Sequence, residues 1–559
     1  MKRPVPMSAE RAQVILSATD ANPQTVRFKK NIRLRDKGLA LAAGKHNTTI
    51  YFKRGTKVRG HGAVHLITIG YTGVIGNVSA TGVVSDAGTT NVTAPAVGNT
   101  TITIASGTSV SAGKYYWLFS GKKEQHETST TLWRLCGGDP VKITGFDTGS
   151  GGAGSVCILD QALKNTYGSG GAYTLLDVDA NVTQNIQVMN YDGQGAGGIS
   201  TSCIFFGLID NLRVYKLSAR NSAYHGFFLG YCRNAILNDV RLLNIGQDNV
   251  AGQGYCCQVE RSIDVTVNNL YSYCGRYGLG ISTGAANVTI NGMYTENQAE
   301  CVFDSHGGDN YNVTFNNVAG NSDVRLGNQS WRGGAQNWTL NGINAKALNL
   351  TGAIRDLAVN NSNFTELWIS ADKGDSNTDS NYSAQPTAAR LVMTDCNFIA
   401  VTDKCFSIYS AAGVNYHGIG GSISGGIYPN RFVRCTFAAV YNSYWSAVSF
   451  ICPKGIAEMN VHFDQCIFTP DYNRAGNGYS AIKISTDNVV SAPNQKIKLT
   501  GNTATLHSQM RFLIGASNAA ARDTIEFGAG NLRRTTPGGS TSAVANDSAN
   551  FSNVAVTAV

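Results

Sequence analysis

A chain of 559 residues with 63 Gly, only 11 Pro and 14% charged residues is biased toward strands and turns and away from helices. Its formal charge of +9 is spread along the chain without basic runs, which argues against nucleic acid as a partner and suits an anionic glycan attracted at long range. Thirteen cysteines cannot all pair, and several (Cys203, Cys301) sit among apolar neighbours; with no CxxC pair and no Cys/His spacing of the zinc type, buried free thiols, no metal and no cofactor are expected.

Prolines at 4 and 6 and charges at Glu10 and Arg11 leave no apolar run for a signal peptide, so synthesis in the cytoplasm without classical secretion is expected. The longest apolar stretch, Cys203 to Ile209, is interrupted by Gly207, and no membrane insertion is expected. Ser8 to Ser17 reads as the single helix, inside an N-terminal attachment or capping segment over residues 1–40. Residues 41–75, with Thr49-Ile50-Tyr51-Phe52-Lys53-Arg54-Gly55, read as a first coil. A β-rich insertion follows over 76–180, with hairpin-like segments such as Tyr115 to Phe119. Residues 181–535 form the body, with Asp372 to Pro386 as a polar loop excursion; the tail, 536–559, reads as a flexible end or an extended interchain strand.

Within the body a phrase recurs: Asn or Asp, then apolar residues at alternate positions. It starts at Asn185, Asn211, Asn234, Asp264, Asn287, Asn312, Asn337 and Asp356, in steps of 26, 23, 30, 23, 25, 25 and 19 residues. Looser copies contain Leu391, Phe432, Val461, Ile497 and Ile525. A period near two dozen with short strands, no helix and no leucine ladder predicts an all-β right-handed parallel β-helix, with an Asx turn opening each strand.

With this repeat, the opening coil and the helical cap, roughly residues 40 to 530 resemble the pectate-lyase-like β-helix superfamily, and within it phage tailspikes and polysaccharide depolymerases. The resemblance implies a homotrimer that binds, and often cuts, a bacterial capsule or O-antigen. It also implies a virion protein joined to phage tail or baseplate proteins through its N-terminal segment.

The richest cluster of reactive groups is Glu300-Cys301-Val302-Phe303-Asp304-Ser305-His306-Gly307-Gly308-Asp309. If Cys301 and Phe303 point inward on a strand, Asp304 and His306 emerge together on the outer face, where a carboxylate raises the basicity of an imidazole. The Asp-x-His pattern is similar to the Asp-Pro-His motif of mannuronan epimerases, with Ser305 in place of proline, and the likeness implies catalytic roles for Asp304 and His306. Coil alignment puts Ser282 and then Glu260 or Gln258 beneath His306, and Trp331 above it. Glu260 and Asp304, two coil steps or roughly 10 Å apart, are then an acid–base pair near the spacing of an inverting hydrolase. Tyr277 and Trp331 offer faces for sugar stacking, Arg276, Glu300 and Asp309 are further substrate-binding candidates, and Arg276 with Glu300 reads equally as a surface ion pair. Asp248 and His225 lie in neighbouring coils. Three readings stay open: a depolymerase of lyase or hydrolase type, a non-catalytic receptor-binding adhesin, and a bacterial C5-epimerase or lyase of the alginate type.

Overall fold

The computed structural model describes residues 6–17, 24–34, 38–60, 65–71, 90–120, 138–165, 173–196, 202–246, 254–306, 309–327, 334–350, 354–371, 386–400, 406–410, 417–420, 424, 427–439, 446–452, 458–469, 480–486, 494–506, 511–515, 523–527, 531–535, 541–543 and 554–558. They divide into two compact units, Met1–Ser322 and Asp323–Val559.

In the first unit the repeat becomes two parallel ladders. The long ladder stacks Thr183–Gln194, Ile209–Arg220, Arg233–Ile245, Ile263–Gly275, Ala286–Glu296 and Asp309–Gly320. The short ladder stacks Ile67–Gly70, Ser202–Gly207, His225–Gly230, Tyr255–Glu260, Tyr277–Ser282 and Cys301–His306. This is the predicted right-handed parallel β-helix, the hand that parallel crossovers adopt. Alternation along each long strand sends one apolar column inward: Val188, Val214, Leu237, Val267, Ile290 and Phe315 pair rung to rung and are all fully buried.

The Asx that opens each phrase turns the chain. Asn185, Asn211, Asn234, Asp264, Asn287 and Asn312 all have φ between 53° and 64°, a left-handed conformation that Asn and Asp tolerate better than other non-glycine residues. Their amides also tie neighbouring coils: Asn185 donates to Asn47 at 2.8 Å, Asn211 to Asn185 at 2.7 Å and Asn312 to Asn287 at 2.9 Å, while Asn287 donates to Asp264.

The expected helix spans Ala9–Ser17 and buries Ala12 and Leu16. Its Gln13 amide both donates to and accepts from the backbone of Ala40 at 2.8 Å, satisfying groups on the strand Leu39–Leu41. A coil earlier than the one expected at 41–75 is present: Gln24–Phe28, Ile32–Arg33 and Leu39–Leu41 pair in parallel with His46–Phe52, Val58–Arg59 and Ile67–Gly70. Residues 24–34 and 38–41 are therefore solenoid, because Val26, Phe28, Ile32, Leu39 and Leu41 supply the inward positions.

Between coils, Thr90–Val92, Thr101–Gly107, Tyr115–Ser120, Gly138–Thr148, Val156–Leu159 and Tyr173–Asp177 close an antiparallel barrel. The strand Tyr115–Ser120 is buried on both faces. Tyr116 and Leu118 fill the barrel, whereas Tyr115, Trp117 and Phe119 pack with Val182, Leu208 and Tyr231. Arg233, its side chain 4% exposed, bonds Asp160 at 2.6 Å and Asp210 at 2.8 Å, and Tyr115 donates to the same Asp210 at 2.7 Å. A buried guanidinium is tolerable because two carboxylates surround it.

The second unit is also a parallel solenoid. Its copies of the phrase lie in Ile354–Asn360, Pro386–Thr394, Asn430–Val433, Glu458–Asp464, Asn494–Thr500 and Asp523–Phe527. Phe364, Phe398, Phe437 and Phe468 stack at centroid spacings of 5.8, 5.3 and 5.4 Å. The tail departs from expectation. Val554–Ala558 pairs in parallel with Asp523–Phe527 of the same chain, and Thr541–Ala543 pairs antiparallel with Leu532–Thr535. Val-Ala-Val-Thr-Ala is a short strand whose period of two is masked by small residues. The polar excursion of 372–385 lies outside the described residues.

Candidate functional site

The outward face of the short ladder in the first unit gathers most of the predicted residues into three columns. His225, Tyr255, Tyr277 and Cys301 form one, Phe228, Gln258, Gly280 and Asp304 the second, and Gly230, Glu260, Ser282 and His306 the third. Aromatic contacts floor one side: Phe205 stacks on Phe228 at 4.8 Å, and Tyr255 lies parallel to Tyr277 at 4.7 Å.

Asp304 belongs to an outward column, since its neighbour Phe303 stacks inward on Phe315 at 3.8 Å. It is nonetheless only 1% exposed, where an open outer-face position was expected. Gly280 on the rung below explains the fit. A Cβ there would stand 3.0 Å from the Tyr255 ring and 3.3 Å from the Asp304 Oδ1, so the bare glycine lets ring and carboxylate close over it. Burial and then the Asp304 charge hold the Tyr255 and Tyr277 phenols well above their ordinary pKa.

His306 ends its strand in register with Ser282, which stands in register with Glu260. A serine rung thus separates the acid from the histidine position. Relative to Asp304, Glu260 lies two rungs down and two residues along, a Cα diagonal of about 12 Å by strand geometry. Glu260 is held by the guanidinium of Arg261 and by the Gln258 amide at 3.1 Å.

Gln258 organises the polar half. Its NH2 donates to Glu260 and, at 2.9 Å, to Ser282, leaving its carbonyl to accept from His225 Nε2 at 2.8 Å. His225 Nδ1 then accepts from the Ser202 hydroxyl at 3.2 Å. Burial pulls the His225 pKa down to about 4, so the imidazole is neutral at pH 7 with both nitrogens engaged.

Arg276 and Glu300 form a half-buried pair at 2.5 Å, and Tyr277 donates to the other Glu300 oxygen at 2.6 Å. Tyr277 does not present the stacking face expected of it: it is 2% exposed, with Tyr255 parallel to its ring and the Arg276 guanidinium 4.7 Å above it. Asp309 opens the strand Asp309–Gly320, and Trp331 and Asp248 lie outside the described residues. Tyr255, Ser202 and Gly280 were not singled out from sequence; aligning Tyr255 with Tyr277 by coil register would have found the first. Among the described residues no group of three or more His, Cys, Asp or Glu is placed to hold a metal ion.

No protein-family profile and no curated protein matches the chain. Among solved structures it is similar to the tailspike protein gp49 from Pseudomonas phage LKA1, at 13% identity over 89% of this chain and 75% of that one, with a TM-score of 0.46. It is similar also to the Gp54 tailspike of Acinetobacter baumannii bacteriophage AP22 in complex with A. baumannii capsular saccharide, at 10% identity over 94% and 74% of the two chains, TM-score 0.38. A third is the catalytic unit of a GH87 alpha-1,3-glucanase from Streptomyces thermodiastaticus, at 11% identity over 77% and 88%, TM-score 0.33.

Proposed function

We propose that the chain is a phage tailspike that binds a bacterial surface polysaccharide, capsule or O-antigen, along the outward short ladder of the first unit and depolymerises it. The observation that carries the reading is the set of aligned columns, which brings Asp304, the His306 position, Ser282, Gln258 and Glu260 from three successive coils onto one aromatic-floored face. A polymer lying across such rungs meets a different polar group at each step, held at the fixed spacing of the coils.

In the lyase form His306 takes the proton next to a uronate carboxylate, with Asp304 beside it raising its basicity. In the hydrolase form Glu260 and Asp304 divide the acid and base roles. The assembly is a homotrimer carried on the virion, made in the host cytoplasm and attached to tail or baseplate proteins through its N-terminal segment. A non-catalytic receptor-binding spike is the second reading, favoured by the burial of Asp304 and the commitment of Glu260 to Arg261.

Purified protein incubated with capsule or lipopolysaccharide is expected to shorten the polymer on a sizing column, and ultraviolet absorbance of unsaturated uronate separates lyase from hydrolase. Asp304→Asn and His306→Ala should each lower the rate by about a hundredfold or more. Cleavage untouched by both would place the chemistry elsewhere; binding without shortening would establish the adhesin.

A further inference from the structure

The second unit carries a cluster of reactive side chains that the reading above does not use. Outward residues on successive rungs form the column Arg431, His462, Lys498 and Glu526, next to a column of Val433, Asp464 and Thr500. Their inward neighbours Phe432, Phe463 and Leu499 are fully buried, which fixes the outward direction of the column.

Three features set this patch apart from a merely solvated face. First, its cations are loosely held: Arg431 stands 4.0 Å from Asp464 and Lys498 stands 3.7 Å from Glu526, and among the described residues neither cation makes a hydrogen bond. Arginines with a structural task in the same unit look different, since Arg434 grips Asp395 with two bonds of 2.7 Å. Second, the imidazole between them is oriented. Thr500 donates to Asp464 at 2.9 Å and so accepts from His462 Nε2 at 2.6 Å, and among the described residues Nδ1 has no hydrogen-bond partner. Third, the floor is aromatic: the Tyr428 ring lies 5.9 Å from both the imidazole and the Lys498 ammonium, with its buried hydroxyl beside the Glu526 carboxylate.

We propose that this patch is a second saccharide-binding site, specific for a carboxylate-bearing sugar whose acid group bridges Arg431 and Lys498 across His462 Nδ1. Two cations a rung to either side of the imidazole, about 5 Å each way, match a carboxylate placed above it. Asp464 and Glu526 disfavour a bare polyanion but accept hydrogen bonds from sugar hydroxyls, which selects a uronate over an inorganic anion. The site stands on its own geometry and does not require the first unit to be catalytic.

Proton linkage gives the site a signature. Burial, then Arg431 and Lys498, hold the His462 pKa below its ordinary value against the opposing charges of Asp464 and Glu526, with Tyr428 and Thr500 also facing the ring among the described residues. A carboxylate bound at Nδ1 favours the imidazolium, so binding takes up protons and tightens as pH falls from 8 to 5.

The test is calorimetric titration of the full chain with hexagalacturonate and, for comparison, maltohexaose and inorganic sulfate, in buffers of different ionisation heat. Hexagalacturonate alone should bind, with a buffer-dependent heat that reports proton uptake. R431Q and K498Q should each weaken it by about tenfold, and H462Q should abolish the buffer dependence. If R431Q melts early, K498Q, at a half-buried side chain, supplies the same comparison. Polymer shortening on the sizing column reads the first unit by itself, which separates failure of this binding from failure of the depolymerase reading. Absence of hexagalacturonate binding, equal binding of sulfate, or undiminished binding by the R431Q/K498Q double variant overturns the proposal.

Discussion

The two units make the same left-handed corner in different ways. In the first unit the corner residues Asn185, Asn211 and Asn312 pass a neutral amide hydrogen bond to the preceding coil, and Asn287 donates to the Asp264 carboxylate. In the second, Arg390 opens the phrase at φ 57° and grips Asp356 of the preceding coil, and at the next corner of the coil Arg434, at φ 51°, grips Asp395 in the same way, both through exposed bidentate ion pairs. The backbone demand is common; the tie between coils is not. An amide ladder satisfies donor and acceptor without charge, so salt and acid leave it alone. An exposed ion pair depends on ionic strength and on carboxylate ionisation. An arginine at φ above zero also lacks the local hydrogen bonding that makes the conformation cheap for Asn.

The difference can be broken most sharply at Asn287. Valine there meets a β-branched penalty at φ 53° and loses the bonds to Asp264 and Asn312, and should cost about 3 kcal/mol of local stability. Glycine at the same position restores the backbone and should cost about half as much. Hydrogen exchange across Ala286–Glu296 reads both, and equal effects of Val and Gly would show that strain is not the controlling term. Arg390→Gln in the second unit should cost under about 1 kcal/mol and lose its effect in 1 M salt, read by exchange across Pro386–Thr394; persistence in high salt would erase the contrast between units. The smallest effect concerns pH. Arg434 holds the Asp395 carboxyl below its ordinary pKa, so the contribution of that pair is present above the unfolded value and fades as pH falls through the folded one. Protection of Asn430–Val433, taken as exchange relative to the unstructured rate at the same pH, should therefore fall below about pH 4, while that of the amide corners around Asn211 and Asn312 should not change.

Much of the fold was legible because a coil is a local repeat. Asn185 through Asp356 mark corners, and each of those eight residues has a positive φ, since a residue that tolerates that backbone must appear wherever the coil turns. The coil of residues 24–34 and 38–41 was missed because Gln24–Phe28 and Leu39–Leu41 lack an Asx phrase, and the tail strand Val554–Ala558 because small residues blur its alternation. Cysteine burial was readable from apolar neighbours: Cys203 and Cys301 are fully buried thiols.

The site was legible as columns and not as contacts. Coil spacing placed Ser282 between Glu260 and His306, yet nothing local announced that Gln258 would join Glu260, Ser282 and His225, or that Tyr255 would take the face of Tyr277. By itself the chain determined a stacked β-helix, its corner residues and the rungs on which reactive groups stand, because these follow from periodicity and backbone sterics. Tertiary structure alone decided which side chains were enclosed, which charges were paired and which, like Arg431 and Lys498, were left loosely held. Those outcomes depend on neighbours some two dozen or more residues away, whose rotamers and burial no repeat encodes.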